Sequence, residues 1–143
     1  MKPTGHAIFS CIIGLFVWYY FKSAGAAIVS FLTGIFIDLD HFFDYYANKH
    51  FTLSLKKVYD ASCDDSFDKF YLLLNSYELV IALWVLIAAF SLGIFWKAVA
   101  IGFTQHMILD QLTNPLTVPG YFLIYRIMKG FKKESVTYKK EPL

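Results

Sequence analysis

Two long apolar stretches dominate the chain, and a more polar stretch separates them. The first extends from Ala7 to Ile37 with an interruption at Lys22-Ser23, and the second extends from Leu79 to Leu109 with an interruption between Gly93 and Lys97. Each contains about 31 residues, which is too long for one helix across about 30 Å of hydrocarbon and short of two full spans of about 20 residues. We therefore expect each stretch to form a helical hairpin.

Helix geometry predicts where the polar ends of these hairpins lie. The 16 residues from His6 to Lys22 and the 16 from Lys22 to Asp38 each cover about 24 Å, so His6 and Asp38 return to one depth. The second hairpin returns its polar residues in the same way. The predicted fold is an all-α integral membrane protein, in which two helical hairpins form a four-helix bundle with a polar site at one membrane face. We expect one domain over residues 1–143, with helices at about 4–21, 24–41, 76–92 and 95–112, an interfacial loop at 42–75 and an amphipathic basic C-terminal helix in the tail at 117–143.

Composition supports a membrane protein and excludes two other classes. Of the 143 residues, 57% are hydrophobic and 17% are charged, whereas soluble domains average about 45–50% and about 25%. Such a chain buries too much apolar surface to remain disordered. A net charge of +2 without a basic patch argues against nucleic-acid binding. The two cysteines, Cys11 and Cys63, match neither a disulfide framework nor a CxxC metal clip.

The basic residues predict an orientation. Two of the 13 Lys and Arg residues, Lys22 and Lys97, lie at the predicted far turns, and the others lie on the side of the polar site if the tail stays there. The positive-inside rule then places this site in the cytoplasm. The lysines of the tail predict contact with anionic membrane lipid. A competing interpretation of the N-terminus is a signal peptide with a cleavage site near 23–26.

Three of the predicted helices carry small residues at four-residue spacing that lead to a polar residue. Residues at this spacing share a helix face, and small residues allow close packing of membrane helices. We call each such row of residues a small-residue lane, and we expect the lanes to face the interior of the bundle. They comprise His6-Ser10-Gly14, Ala26-Ser30-Gly34-Asp38 and Ala98-Gly102-His106-Asp110. A lone Asp in a membrane helix costs roughly 2.5–3.5 kcal/mol, and converging carboxylates repel one another, so a bound cation is the simplest resolution.

Two motifs have the spacing of metal ligands. Asp38-Leu39-Asp40-His41 closes an apolar helix and either binds a metal or forms a solvated helix end, although acids there oppose the helix dipole. His106-x-x-x-Asp110 places two side chains on one helix face, as ligands of one ion or as a hydrogen-bonded pair. Imidazole and carboxylate without thiolate suit zinc, manganese or iron.

Two further candidates stay open at this point. Asn75-x-x-Glu78 fits a ligand pair and equally fits the capped start of a helix with a dipole-favoured acid. His6 stands alone near the terminus and is either an interfacial residue or a ligand. No serine has a nearby base for a hydrolase triad, and no glycine-rich phosphate loop is present.

Together these motifs resemble the inner-membrane metal-dependent hydrolase family of bacteria and archaea. That family is similar to the zinc-dependent phospholipase C and P1 nuclease group, all-helical enzymes with up to three zinc ions. The resemblance covers roughly residues 4–115 and is carried by His6, Asp38-Leu39-Asp40-His41, Asn75-Ser76-Tyr77-Glu78 and His106-x-x-x-Asp110 followed by Leu112-Thr113-x-Pro115. It implies metal ligands at His6, Asp38, Asp40, His41, Glu78, His106 and Asp110.

The resemblance also implies an activity at a prokaryotic inner membrane. The expected function is hydrolysis of a phosphate ester or phospholipid-like substrate by metal-activated water, with zinc as the expected metal and manganese or iron as alternatives. Asp40, about 200° round the helix from Asp38, is our candidate for a catalytic general base. Asn75 departs from the family pattern, in which related sequences often carry His. Asparagine is a poorer zinc ligand than imidazole, so this departure implies a lost or weakened metal, or a non-catalytic descendant of the family.

Two alternatives to an enzyme remain. The first is a non-catalytic membrane scaffold or assembly subunit with a structural or degenerate metal site. The second is an ion or proton pathway, which is disfavoured because the carboxylates gather at one end of the helices. Four short helices also leave much lipid-facing surface, which a homodimer contact or a partner membrane subunit would cover.

Overall fold

The computed structural model describes residues 3–48, 54, 58 and 69–138, and most of these lie in helices. This part of the chain contains two isolated β-bridges and no strand, so the prediction of an all-α fold is confirmed for it. Short 3-10 helices occupy Ile37–Leu39 and Val118–Tyr121. The α-helices are α1 (Pro3–Phe21), α2 (Ala24–Phe36), α3 (Asp40–Asn48), α4 (Tyr77–Ala89), α5 (Ile94–Thr113), α6 (Leu123–Met128) and α7 (Lys133–Val136).

The sequence predicts a single domain, whereas the chain divides into two compact units. The first unit consists of Met1–Ile37 and Tyr77–Asn114, and the second consists of Asp38–Ser76 and Pro115–Leu143. The first unit therefore contains α1, α2, α4 and α5, and the second contains α3, α6 and α7. Both predicted apolar stretches lie entirely within the first unit.

Turn chemistry separates the helices of the first unit. Lys22 adopts a left-handed φ of 51° after α1, and the Ser23 hydroxyl then caps α2 by accepting a hydrogen bond from the Ala26 amide at 3.2 Å. Ser91 adopts a φ of 50° between α4 and α5, and Gly93 is the N-cap of α5. These are the interruptions at which the sequence pattern predicts turns.

Helices α1, α2 and α5 pack against one another, and α4 packs against α5. Small residues make this packing close. A Cβ atom at Gly102 would meet the backbone oxygen of Ser30, and it would lie 3.2 Å from the Cβ of Thr33. The apolar centre of this packing consists of Val17, Ala26 and Ala98. The small-residue lanes of the sequence therefore do lie between the helices of this unit.

Large apolar side chains lie on the outside of the first unit, and polar side chains lie inside it. The buried polar residues include His6, Ser10, Ser30, His106 and Asp110. The exposed apolar residues include Ile8, Leu15, Phe16 and Trp18 of α1, Ile28 and Phe36 of α2, Ile81 and Val85 of α4, and Phe95 and Ile108 of α5. By length and composition, two helical stretches can cross a membrane, Thr4–Phe21 with a mean hydropathy of 1.4 and Ala24–Asn48 with 1.6.

In the second unit, charged side chains hold the backbone of residues 71–75. Asp40 Oδ2 accepts hydrogen bonds from the amides of residues 74 and 75 at 2.7 and 3.1 Å. Asp44 Oδ1 accepts from the amides of residues 71 and 72 at 2.8 and 3.0 Å. The fully buried Arg126 donates through Nη2 to the carbonyls of residues 72 and 75 at 2.7 and 3.0 Å. These bonds replace the regular secondary structure that this segment lacks.

Several predicted boundaries differ from the structure. The helix predicted at 24–41 changes to a 3-10 helix at Ile37, and α3 then continues to Asn48 inside the predicted loop at 42–75. The helix predicted at 76–92 ends at Ala89.

The single amphipathic helix predicted for the tail is replaced by two short helices, α6 and α7. The break has a local cause, because Gly130 and Phe131 both adopt left-handed φ values, of 62° and 58°. Most of the predicted loop, including Cys63, and the end of the tail, at 139–143, lie outside the described residues.

Candidate metal centre

His6 near the start of α1 meets His106 and Asp110 near the end of α5. His6 Nε2 lies 3.1 Å from Oδ1 of Asp110, and His106 Nε2 lies 3.3 Å from Oδ2 of the same carboxylate. All three side chains are buried, with at most 2% of each residue exposed. The four-residue spacing in α5 places His106 and Asp110 on one face, and the packing of α1 against α5 brings His6 to them.

A backbone carbonyl fixes the tautomer of His106. Its Nδ1 lies 2.8 Å from the carbonyl oxygen of Gly34, and because a carbonyl can only accept, Nδ1 carries a proton. The Nε2 atom of a neutral His106 would then direct its lone pair at the Asp110 carboxylate. Two lone pairs at this distance repel, so a proton or a cation must lie between them. Metal-binding histidines commonly donate their other ring N–H to a carbonyl in this way.

The two imidazole rings stack on each other. Their centroids lie 4.5 Å apart, with 25° between the ring planes. The Nδ1 atom of His6 is buried and has no hydrogen-bond partner within the described part of the chain. The site therefore pairs one carboxylate with two stacked imidazoles.

The three side chains are close enough to hold a single metal ion. One ligand atom from each of His6, His106 and Asp110 lies within 4.8 Å of the other two, and each imidazole faces a different oxygen of the Asp110 carboxylate, at 3.1 and 3.3 Å. Two imidazoles and one carboxylate are also the ligand types that catalytic zinc and non-haem iron sites use, with coordination positions left open.

The structure brings together His6, His106 and Asp110 out of the seven ligands that the resemblance implies. Asp38 and His41 belong to the second unit, are partly exposed, and have their nearest N and O atoms 3.9 Å apart. Asp40, the candidate general base, also belongs to that unit, and one of its oxygens accepts two backbone hydrogen bonds.

Glu78 stands in the first turn of α4, within the first unit but outside the three-residue group. This position fits the interpretation of Glu78 as a dipole-favoured acid at a helix start. The ligand interpretation of Glu78 stays a prediction.

Sequence reasoning missed the role of Gly34. The four-residue lane placed this glycine in the packing interface, but no sequence signal showed that its carbonyl binds His106. The Gln105 side chain, beside His106, accepts a hydrogen bond from the Ser10 hydroxyl at 3.1 Å. The Gln111 side chain, beside Asp110, accepts a hydrogen bond from the hydroxyl of Tyr77.

No protein-family model matches the chain, and neither a curated protein nor a solved structure matches it. The described residues nevertheless define a class, an all-helical protein with two helical stretches able to cross a membrane and a buried group of two histidines and one aspartate that can hold a metal ion.

Proposed function

We propose that the chain is a multi-pass protein of a prokaryotic inner membrane, in which α1, α2, α4 and α5 form a four-helix bundle. The exposed apolar side chains of this unit support the proposal, because bilayer lipid would cover surface that water would not. The small residues between the helices support it further, because membrane helices associate through such close contacts. The bias of Lys and Arg supports an orientation with the metal centre toward the cytoplasm.

We also propose that this bundle is a metal-dependent hydrolase of a phosphate ester or phospholipid-like substrate. The observation that carries the proposal is the three-ligand group, with the Nε2 lone pair of His106 directed by the Gly34 carbonyl. A bound divalent ion at such a site makes a water molecule acidic and polarises a phosphoryl oxygen. His6, His106 and Asp110 hold the ion, and their burial excludes bulk water, which strengthens every charge interaction there.

The group supports one ion, whereas the enzymes of the resemblance hold up to three. This group would supply three protein ligands to an ion, and water and a phosphate oxygen would complete its coordination. Zinc is the proposed metal, with manganese and iron as alternatives for the same ligand types. Membrane lipid is the proposed partner, and a phosphate ester with an acyl chain would have its apolar part solvated beside the site.

Metal content and hydrolysis in the same preparation test the proposal. The full chain, purified in detergent, is analysed by elemental mass spectrometry and assayed with a chromogenic phosphodiester and with phospholipid micelles. We expect about one ion per chain and metal-dependent hydrolysis, both lost in the double variant His106→Ala/Asp110→Ala. The matched control Asp38→Ala/His41→Ala changes the same residue types outside the group and should keep the ion. A folded wild-type chain without metal would overturn the proposal.

A non-catalytic scaffold is the second candidate, and the burial of the group favours it. With His106 protonated on both nitrogens and His6 donating through Nε2, the two histidines and Asp110 would form a neutral hydrogen-bonded triad that ties α1 to α5. Such a triad would require no metal. Nitrogen-15 NMR of histidine-labelled protein separates the two candidates, because the triad keeps a proton on His106 Nε2 in the presence of zinc and the metal site loses it.

A further inference from the structure

Gly34 lies where α2 faces both α1 and α5. Its carbonyl oxygen accepts the hydrogen bond from His106 Nδ1 at 2.8 Å. On the side where its Cβ would be, the Ser10 side chain and the Gln105 side chain occupy the space and bond to each other at 3.1 Å. The carbonyl of Gly34 thus contacts His106 of α5. The space that a side chain at Gly34 would occupy is filled by Ser10 of α1 and Gln105 of α5.

We propose that Gly34 is a positioning residue that sets the tautomer and the metal affinity of His106. The inference rests on the proposed metal centre for its effect on affinity, and it deepens that proposal by naming the residue that regulates the ligand. The carbonyl holds the proton on Nδ1 and so leaves Nε2 open to a metal. The absent side chain lets α2 approach α1 and α5 closely enough for that bond to form.

A side chain at position 34 would displace this arrangement. Its Cβ would lie 3.0 Å from Gln105 Oε1 and 3.1 Å from Ser10 Cβ, and it would also meet the Ser10 hydroxyl. Ser10 is buried and bonded to Gln105, so neither side chain can withdraw without breaking that bond. A shift of α2 away from its neighbours lengthens the bond to His106 Nδ1. The imidazole ring of His106 is then no longer held with Nε2 facing Asp110.

Gly14 of α1 provides a control for the effect of an added side chain between α1 and α2. A Cβ at Gly14 would lie 3.3 Å from the Ala27 carbonyl and 3.6 Å from the Phe31 Cβ, so it adds a smaller packing load at the contact of α1 with α2, away from His106. The variant Ser10→Gly provides a rescue, because it removes the two Ser10 atoms that a Cβ at position 34 would meet and leaves the Gln105 side chain free to turn away.

The experiment measures zinc affinity of the full chain in detergent by chelator competition, with circular dichroism to confirm folding. Loss of a group that orients a metal ligand typically weakens binding about 10–100-fold, and we expect a loss of this size in Gly34→Ala. Gly14→Ala should bind as wild type does, and Gly34→Ala/Ser10→Gly should recover the affinity of Ser10→Gly alone. Affinity of folded Gly34→Ala equal to that of wild type would overturn the inference.

Nitrogen-15 NMR of the metal-free, histidine-labelled protein provides a readout that needs neither metal nor a variant. We expect the Nδ1 proton of His106 to be hydrogen-bonded in wild type and this hydrogen bond to be weakened or lost in Gly34→Ala. A wild-type His106 without a proton on Nδ1 would overturn the inference even if Gly34→Ala failed to fold. A wild-type chain that binds no zinc but keeps this proton would instead overturn the metal proposal and leave the positioning of His106 by Gly34 supported.

Discussion

His6 Nε2 lies 3.1 Å from Oδ1 of Asp110, so a residue near the start of the chain is joined to one near the end of α5. The other oxygen of the same carboxylate faces His106 at 3.3 Å. Removing one member of a buried charged group leaves the others without compensation. The three residues are therefore expected to act as one unit, in metal binding and in the packing of α1 against α5.

The substitution His6→Ala tests whether His6 is a ligand. We expect zinc affinity to fall by more than tenfold, because loss of a direct ligand costs at least as much as loss of a group that only orients one. The measurement is chelator competition on the detergent-purified chain. His41→Ala is the control, since His41 is partly exposed and lies outside the three-residue group. An equal loss in both variants would favour the seven-residue ligand set that the resemblance implies.

The substitution Asp40→Ala tests the candidate general base. Asp40 Oδ2 accepts two backbone hydrogen bonds from residues 74 and 75, and leaving buried amides unsatisfied costs about 1–3 kcal/mol. We expect the free energy of unfolding to fall by that amount in denaturant titrations, with zinc affinity unchanged. Asp40→Asn keeps an acceptor oxygen and should lose less stability. Full stability of Asp40→Ala together with lost hydrolysis would restore Asp40 to the catalytic role.

The helices could be predicted because apolar length and small-residue spacing are local properties of the sequence. The pairing of His106 with Asp110 could be predicted for the same reason, since one helix face carries both. The contact of His6 with Asp110 depended on the packing of two distant helices, and the sequence offered only the lane that ends at His6. The Gly34 carbonyl could not be predicted, because backbone acceptors leave no trace in side-chain patterns. The break between α6 and α7 could not be predicted, because it requires a left-handed backbone conformation at Phe131, and phenylalanine rarely adopts one.

The substitution Gly102→Ala tests the close packing of α5 on α2. A Cβ there would meet the Ser30 carbonyl and would lie 3.1 Å from the Ser30 carbonyl carbon, which is backbone and cannot turn aside. Overpacking of this kind costs about 1–3 kcal/mol, so we expect a lower midpoint in denaturant titrations. Gly93→Ser is the control, because a Cβ at Gly93 has no neighbour within 4 Å and serine suits an N-cap. Equal stability of Gly102→Ala and wild type would contradict the packing.

We expect the exposed apolar face of the short helix α6 to contact an anionic bilayer surface. Ile124, Ile127 and Met128 are 56–78% exposed, they share one helix face, and the exposed Lys129 and Lys132 follow. We expect an environment-sensitive dye at Met128→Cys, in a Cys11→Ser/Cys63→Ser background, to shift its emission to the blue and to be quenched by brominated lipid in anionic nanodiscs.

The lysines that follow α6 provide the test of charge dependence. Each lysine near such a surface contributes about 1 kcal/mol, so Lys129→Glu/Lys132→Glu should abolish both signals. The same dye at the exposed Glu134→Cys of α7 should report water. Equal signals in neutral and anionic nanodiscs would contradict the charge-dependent contact, and a dye at position 128 that reports water in both would show that lipid does not cover this face.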